Sequence, residues 1–258
     1  MNLWTLDITS DYPTYLYKYQ PVKDDRAIKN LFNRQAVFSS RLNFNDPFDC
    51  KITIIDPTLE DAVSLLKGNL QFSNLVAGGN LNEKCQLLLN NAIEGFNKLI
   101  DGYTFYCLSS SGKNNLMWSY YADAHEGFCI EFKSSYIEAE KVTYEKTLPC
   151  IKLAEFLGTD DDHHKLAKDI WKALRIKLEE WEHEDEYRFQ LSNAMNPIES
   201  LADGKGKIIS YDPEFIESII FGCRASSKTT EYIRNNIPYK VKFKKAVPLN
   251  GVIEIIEF

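Results

Sequence analysis

Glu186-Tyr187-Arg188-Phe189-Gln190-Leu191, Lys207-Ile208-Ile209-Ser210, Ser218-Ile219-Ile220-Phe221, Tyr239-Lys240-Val241-Lys242-Phe243 and Val252-Ile253-Glu254-Ile255-Ile256-Glu257 are β-favouring runs that fill the last third of the chain. A helix over 227–235 separates two of them. Immediately upstream, residues 160–181 read as one helix. Leu166, Ile170, Leu174 and Leu178 recur every four residues, Trp171 and Trp181 flank them, and three aspartates at 160–162 suit its start. Helices and strands are therefore grouped rather than alternating, which points to an α+β fold.

The same reading extends outward to the N-terminus. Residues 14–20 form a first strand with Tyr15, Tyr17 and Tyr19 on one face and Lys18 on the other. A short helix follows at 24–34, then a brief strand at Val37-Phe38-Ser39 and turn chemistry from Asn43 to Asp49 around Pro47. Residues 58–100 change character: Ala62, Leu65 and Leu66, then Leu88, Leu89, Ala92, Ile93, Phe96 and Ile100, make helical stripes on either side of Gly78-Gly79. This block reads as a helical insertion within a single domain spanning 1–258. Strands return at Tyr103–Leu108, Gly127–Phe132 and Lys141–Tyr144, with a helix over Asn115–Ala124.

Composition limits the function classes. Hydrophobic residues make up 44%, which can supply a sizeable core. The net charge of −7 argues against a non-specific duplex binder. Lys240 to Lys245 is a local basic exception that reads first as the solvated face of a strand. The six cysteines form no Cys-x-x-Cys pair and read as reduced thiols. No apolar run approaches the ~20 residues needed to span a bilayer. Met1-Asn2-Leu3-Trp4-Thr5-Leu6-Asp7 lacks a basic start and apolar core, so the expected location is the cytoplasm.

Trp181-Glu182-His183-Glu184-Asp185-Glu186-Tyr187-Arg188 is the most chemically loaded segment. If its strand begins early, Glu184, Glu186 and Arg188 share one face, where the carboxylates repel and the guanidinium lowers both. Such a group can hold one ionised carboxylate against a sugar hydroxyl or a developing positive charge. The plainer reading is a solvated acidic connector leading into an ion-paired strand. Cys107-Leu108-Ser109-Ser110-Ser111-Gly112 puts hydroxyls at a strand end, and the next helix adds Trp118 and Tyr121 about a turn apart. These suit a flat heterocycle; they equally suit a capped helix whose aromatics face the core. His163-His164 point about 100° apart on a helix and complete no metal site. His125, in turn-like sequence, reads as structural or rim. No phosphate-loop, dinucleotide-fingerprint or nucleophile-elbow motif is present.

In order, Leu16-Tyr17-Lys18-Tyr19, Asn45-Asp46-Pro47-Phe48-Asp49, Cys107-Leu108-Ser109, Met117-Trp118-Ser119-Tyr120-Tyr121-Ala122 with His125-x-Gly127, Trp181-x-x-Glu184-x-Glu186-Tyr187-Arg188 and Ile219-Ile220-Phe221-Gly222 resemble the bacterial family called domain of unknown function 2971. A basic first strand, a serine-ended second strand, an aromatic helix and a Glu-x-Glu at a later strand are also similar to the ADP-ribosyltransferase fold. That likeness implies mostly antiparallel strands around a cleft. It implies NAD as substrate, with Lys18 or Tyr19 at the nicotinamide-side ribose and Ser109 in the nicotinamide pocket. Glu186, with Glu184 beside it, would hold a ribose hydroxyl; Trp118, Tyr121 and Arg188 would complete the cofactor contacts. Where the fold has Arg or His on its first strand, this chain has Lys18, a point charge rather than a planar fork. Two functions follow as expectations. One is an NAD-using ADP-ribosyltransferase or glycohydrolase, with water or a protein or nucleic-acid acceptor. The other is a non-catalytic ligand- or partner-binding component of a bacterial phage-defence or toxin system.

Overall fold

The computed structural model describes residues 12–55, 76–77, 80–152, 160–192, 199–200 and 206–258. The chain opens with β1 (Tyr15–Gln20), α1 (Asp25–Asn33) and β2 (Gln35–Ser40), then short strands β3 (Thr53–Ile55), β4 (Val76–Ala77) and β5 (Asn80–Leu81). Helix α2 (Glu83–Asp101) leads to β6 (Thr104–Ser109), α3 (Asn115–Tyr121) and β7 (Phe128–Lys133). Short strands β8 (Glu140–Lys141), β9 (Thr143–Glu145) and β10 (Cys150–Lys152) precede α4 (Asp160–Ala173) and β11 (Ile176–Leu178). After a 3-10 turn at Glu179–Glu184 come β12 (Glu186–Leu191), β13 (Glu199–Ser200), β14 (Gly206–Ser210) and β15 (Ile216–Phe221). Helix α5 (Ser227–Asn236), β16 (Lys242–Leu249) and β17 (Val252–Glu257) finish the chain.

The architecture is α+β, with one large and mostly antiparallel sheet; among the described residues, only the β15–β16 pairing within it is parallel. Its order runs β13-β14-β2-β6-β1-β7-β15-β16-β17, and β12 adds to the other edge of β6 and carries β8. Strand β6 is the branch point. Along one edge, β2 pairs with its start (Ser40 opposite Thr104, Ser39 opposite Phe105), and β1 pairs with its end (Tyr17 opposite Ser109). Strand register stops at Phe105 and resumes at Ser109, so β1 and β2 fork apart there.

Alternation along the strands builds the layers. One face of the sheet carries Leu16, Tyr106, Leu108, Phe132, Tyr187 and Ile219, packed with Ile28 and Leu31 of α1 and Ile233 of α5. The other face is divided. On the β6 side, Phe105 packs with Ile100 of α2 and with Leu166, Ile170 and Leu174 of α4 or just beyond it. On the β1 side, Tyr19, Cys129 and Ile220 pack against Met117 and Trp118 of α3. The opening lies between these two clusters.

Several sequence expectations change. The helix expected over 160–181 ends at Ala173, and Ile176–Leu178 is instead a strand paired in parallel with β9. Its side chains invert the usual surface pattern, because Lys177 is buried while Ile176 and Leu178 are only partly so. The strand expected from Tyr239 begins at Lys242. Of the 58–100 block, α2 is described, with Phe96 and Ile100 buried and Leu87 exposed. The stripe at Ala62, Leu65 and Leu66, the Gly78-Gly79 loop and the opening Met1–Asp7 lie outside the described residues. Among the described residues, no helix is long and apolar enough to cross a membrane.

Candidate functional site

Tyr17, Ser109 and Glu186 form one row across three strands, since Ser109 is the register partner of both Tyr17 and Glu186. Cross-strand partners share a face, so this row crosses the fork where the sheet opens. A cleft of about 390 Å³ lies there, in the size range of small-molecule sites. Its floor includes Cys107, Ser109, Lys177 and Glu186, one wall is the Asn43–Asp49 segment, and Met117, Tyr120 and Tyr121 of α3 make the opposite wall.

Beneath the floor lies a buried ion cluster. Glu186 is 3% exposed, and Arg188 holds it through two bonds, Nε to Oε1 at 2.8 Å and Nη2 to Oε2 at 2.9 Å. Nη2 of Arg188 also reaches both oxygens of Asp49 at 3.1 and 3.2 Å, while Nη1 donates to the carbonyl of Leu174 and to the Cys50 sulfur. The Lys177 ammonium contacts Glu184 Oε2 directly and lies 3.4 Å from both Glu186 Oε2 and Asp49 Oδ2. It also sits 4.8 Å from the centroid of the Trp181 ring. By formal charge, three carboxylates face two cations within the cluster, and the Lys18 ammonium beside the floor is a third cation that balances them.

The electrostatics follow from burial and pairing. Burial works to raise the Glu186 carboxyl, but Arg188 and Lys177 overcome it and hold it down to about 2, so the group is ionised at neutral pH. Burial works against the charge on Lys177 as well, and the Glu186, Asp49 and Glu184 carboxylates outweigh it, pushing its proton affinity above the ordinary lysine value. Burial, reinforced by Glu184, pushes the Tyr121 phenol up, so it remains a proton donor. That hydroxyl donates to Glu184 Oε1 at 2.6 Å. Burial likewise pushes the Cys107 thiol up, which leaves it a poor nucleophile.

The structure brings together Lys18, Tyr19, Ser109, Tyr121, Glu184 and Glu186, all of which line the cleft. Their details depart from the sequence reading. Glu184 is not on the strand; it ends the 3-10 turn, and Asp185 in the left-handed region (φ 41°) turns the chain so that Glu184 and Glu186 both face Lys177. Lys18 alternates away from Tyr17 and Tyr19, and its ammonium donates to the Cys107 carbonyl at 2.9 Å, over the Tyr106 ring. It satisfies the β6 edge where the fork leaves no strand partner. The Ser109 hydroxyl donates to the Glu184 carbonyl at 2.8 Å and so fixes the turn. The Tyr19 hydroxyl donates to the Ser111 carbonyl at 2.7 Å.

Two expected contact residues lie elsewhere. Trp118 is fully buried, donates from Nε1 to the Gly112 carbonyl, and packs edge-on against Tyr19, so it belongs to the core and offers no ring to a ligand. Arg188 is 1% exposed and is a counter-ion beneath the floor rather than a cleft contact. His125, as read from the sequence, is structural: it stacks on Trp118 and meets Ser119 Oγ at 3.1 Å. The sequence reading missed Tyr17, Asp49 and Lys177. The signal for the latter two was indirect: buried carboxylates require cations, and a buried arginine requires more than one anion.

Comparison with family models, with curated proteins and with solved structures returns no match for this chain. Chemical inference therefore rests on the cleft itself. The site offers an ionised carboxylate at its floor, with Phe44 and Phe105 as apolar surface. Such a site suits a ligand with hydroxyls and a positive or electron-poor centre.

Proposed function

We propose that the cleft binds NAD as a substrate and breaks its nicotinamide–ribose bond. One observation carries this reading. Glu186, Ser109 and the first-strand residues Lys18 and Tyr19, distant in sequence, line a single cleft with the carboxylate ionised. As the C–N bond lengthens, nicotinamide leaves with the bonding pair and positive charge develops on the ribose ring, as in glycoside cleavage. The Glu186 and Glu184 carboxylates oppose that charge, and their ion pairs hold them in place before the substrate arrives. Water attacking the ribose carbon and losing a proton to solvent gives hydrolysis. A protein or nucleic-acid nucleophile in its place gives ADP-ribosyl transfer. The test is release of nicotinamide from NAD by the purified chain, with Glu186→Gln as the control. Wild-type rates in that variant would refute the assignment.

A second reading has its own support. All four carboxylate oxygens of Glu184 and Glu186 already have partners in the protein. That arrangement suits a rigid recognition site in a non-catalytic component of a bacterial defence system. Calorimetry separates the two: NAD binding without nicotinamide release selects the second.

A further inference from the structure

The polar groups around the cleft form a closed chain that passes through one atom. Asn45 and Asp49 mark two points on the wall segment, and Tyr121 stands on the opposite wall. Asn45 Nδ2 lies 3.5 Å from the Tyr121 hydroxyl, which donates to Glu184 Oε1; Glu184 Oε2 meets Lys177 Nζ, and Lys177 Nζ faces Asp49 Oδ2 at 3.4 Å. The Lys177 ammonium thus touches both walls' anchors and the floor carboxylate at once.

Arg188 does not duplicate it. The guanidinium holds Glu186 and Asp49, but its donors reach no oxygen of Glu184. Among the described residues, Glu184 therefore has one cationic partner, Lys177. The α3 wall is joined to the floor through Tyr121 and Glu184, beside the Asn114 side chain, which donates to the His183 carbonyl. The three carboxylates also come from separate segments: Asp49 from the loop after β2, Glu184 from the 3-10 turn and Glu186 from β12. Without a shared cation they would repel.

We propose that Lys177 is a positioning residue of the cleft, its ammonium holding Glu184, Glu186 and Asp49 to one point and tying both walls to the floor. Only the kinetic part of its test rests on the function proposed above. The groups that face this ammonium or its carboxylates are Asp49 from the wall segment, Cys50 next to it, Cys107 from β6 and Tyr121 from α3. Tyr144 from β9, Trp181 and Glu184 from the turn, and Glu186 and Arg188 from β12 complete the set.

The test compares wild type, Lys177→Met and Lys177→Arg in the full chain. Carboxyl resonances of 13C-labelled glutamate follow the ionisation of Glu186, a readout independent of turnover. In Lys177→Met the Glu186 titration should move up by about one pH unit or more, and in Lys177→Arg it should stay near wild type. In the kinetic arm, Lys177→Met should lower kcat by about a hundredfold with KM for NAD held within about threefold, and Lys177→Arg should recover part of the loss. A lysine that took no part in holding these carboxylates would lower the melting temperature and leave both readouts of the folded protein unmoved. An unshifted Glu186 titration in Lys177→Met overturns the proposal. Should that variant not fold, Lys177→Gln, which keeps donors but no charge, is titrated in its place, and an unshifted Glu186 there overturns the proposal equally. A wild-type chain that releases no nicotinamide ends the NAD reading, and the titration still decides Lys177.

Discussion

Tyr17 lies directly opposite Ser109, and this one register pair joins β1 to β6. A full six-residue ladder joins β6 to β12 on its other edge. The contrast creates the site. A sheet held together at one rung can open on either side of it, and the Glu186 carboxylate of the fully laddered neighbour then lies at the bottom of the opening.

Glu186→Gln is expected to lower nicotinamide release by about 100- to 1,000-fold, because the neutral amide no longer opposes the charge that develops on the ribose. It should also cost about 2 kcal/mol of stability, since Arg188 exchanges one anion for a neutral acceptor but keeps Asp49. Turnover at matched folded fraction, measured with urea unfolding, separates the two effects. Full nicotinamide release from the folded variant would rule out an electrostatic role for this carboxylate.

Arg188→Met is expected to be the more damaging change to the fold. It leaves three carboxylates around Lys177 and strips donors from the Leu174 carbonyl and the Asp49 carboxylate. Breaking a buried ion cluster from one side costs about 3–5 kcal/mol. Urea denaturation should show a lower midpoint with an unchanged slope; a loss below about 1 kcal/mol would mean the cluster is solvated.

Acid should destabilise the protein through Glu186. Its folded value of about 2 lies below the unsupported value of 4.5. The stabilisation it supplies is therefore fully present above about pH 5 and is lost as pH falls towards 2, when the folded group must also take a proton. The contribution is on the order of a few kcal/mol. In Glu186→Gln the same acid limb should flatten. A thermal-melt series at decreasing pH that is parallel for the two proteins would contradict this.

Gly222→Ala should strain the joint between the end of β15 and the turn after α3. A Cβ there would run into the His125 carbonyl, and Gly222 N already donates to the Gly127 carbonyl at 2.9 Å. The neighbouring Asp123, Ala124 and His125 all have positive φ, so this turn has little room to yield. A loss of about 1–3 kcal/mol is expected by calorimetry, and a loss below about 0.5 kcal/mol would mean that the turn yields.

Much of the fold was legible because its strands are short and bounded by turn residues. The runs at 15–20, 104–109, 128–133 and 186–191 are where alternation and β-branched or aromatic side chains place them. The helix over 160–181 was overextended for a physical reason. Leu174 and Leu178 continue the four-residue spacing, yet Leu178 belongs to a strand whose buried side chain is a lysine. Periodicity alone cannot distinguish an apolar stripe from a chain reversal that reuses its last members. Glu184, Glu186 and Ser109 were legible as candidates and do line the cleft, since acidic pairs and strand-end serines carry a local signal. Asp49 and Lys177 carried none: Asp49 reads as a turn residue, and only the fold sets it against Arg188. For Trp118 the residues left two readings open, and the structure takes the core-facing one rather than the ligand contact that the resemblance implied, because a tryptophan that fills a core looks, in sequence, like one that stacks on a ligand.

The fork has a thermodynamic corollary. On the cleft face its two banks rest on separate apolar clusters, one beside β6 and one beside β1, and only the opposite face joins Leu16 to Tyr106 and Leu108 in one core. A molecule bridging them would add the interactions that the missing rungs do not supply. Amide exchange should then slow in β1 and β12 together on saturation.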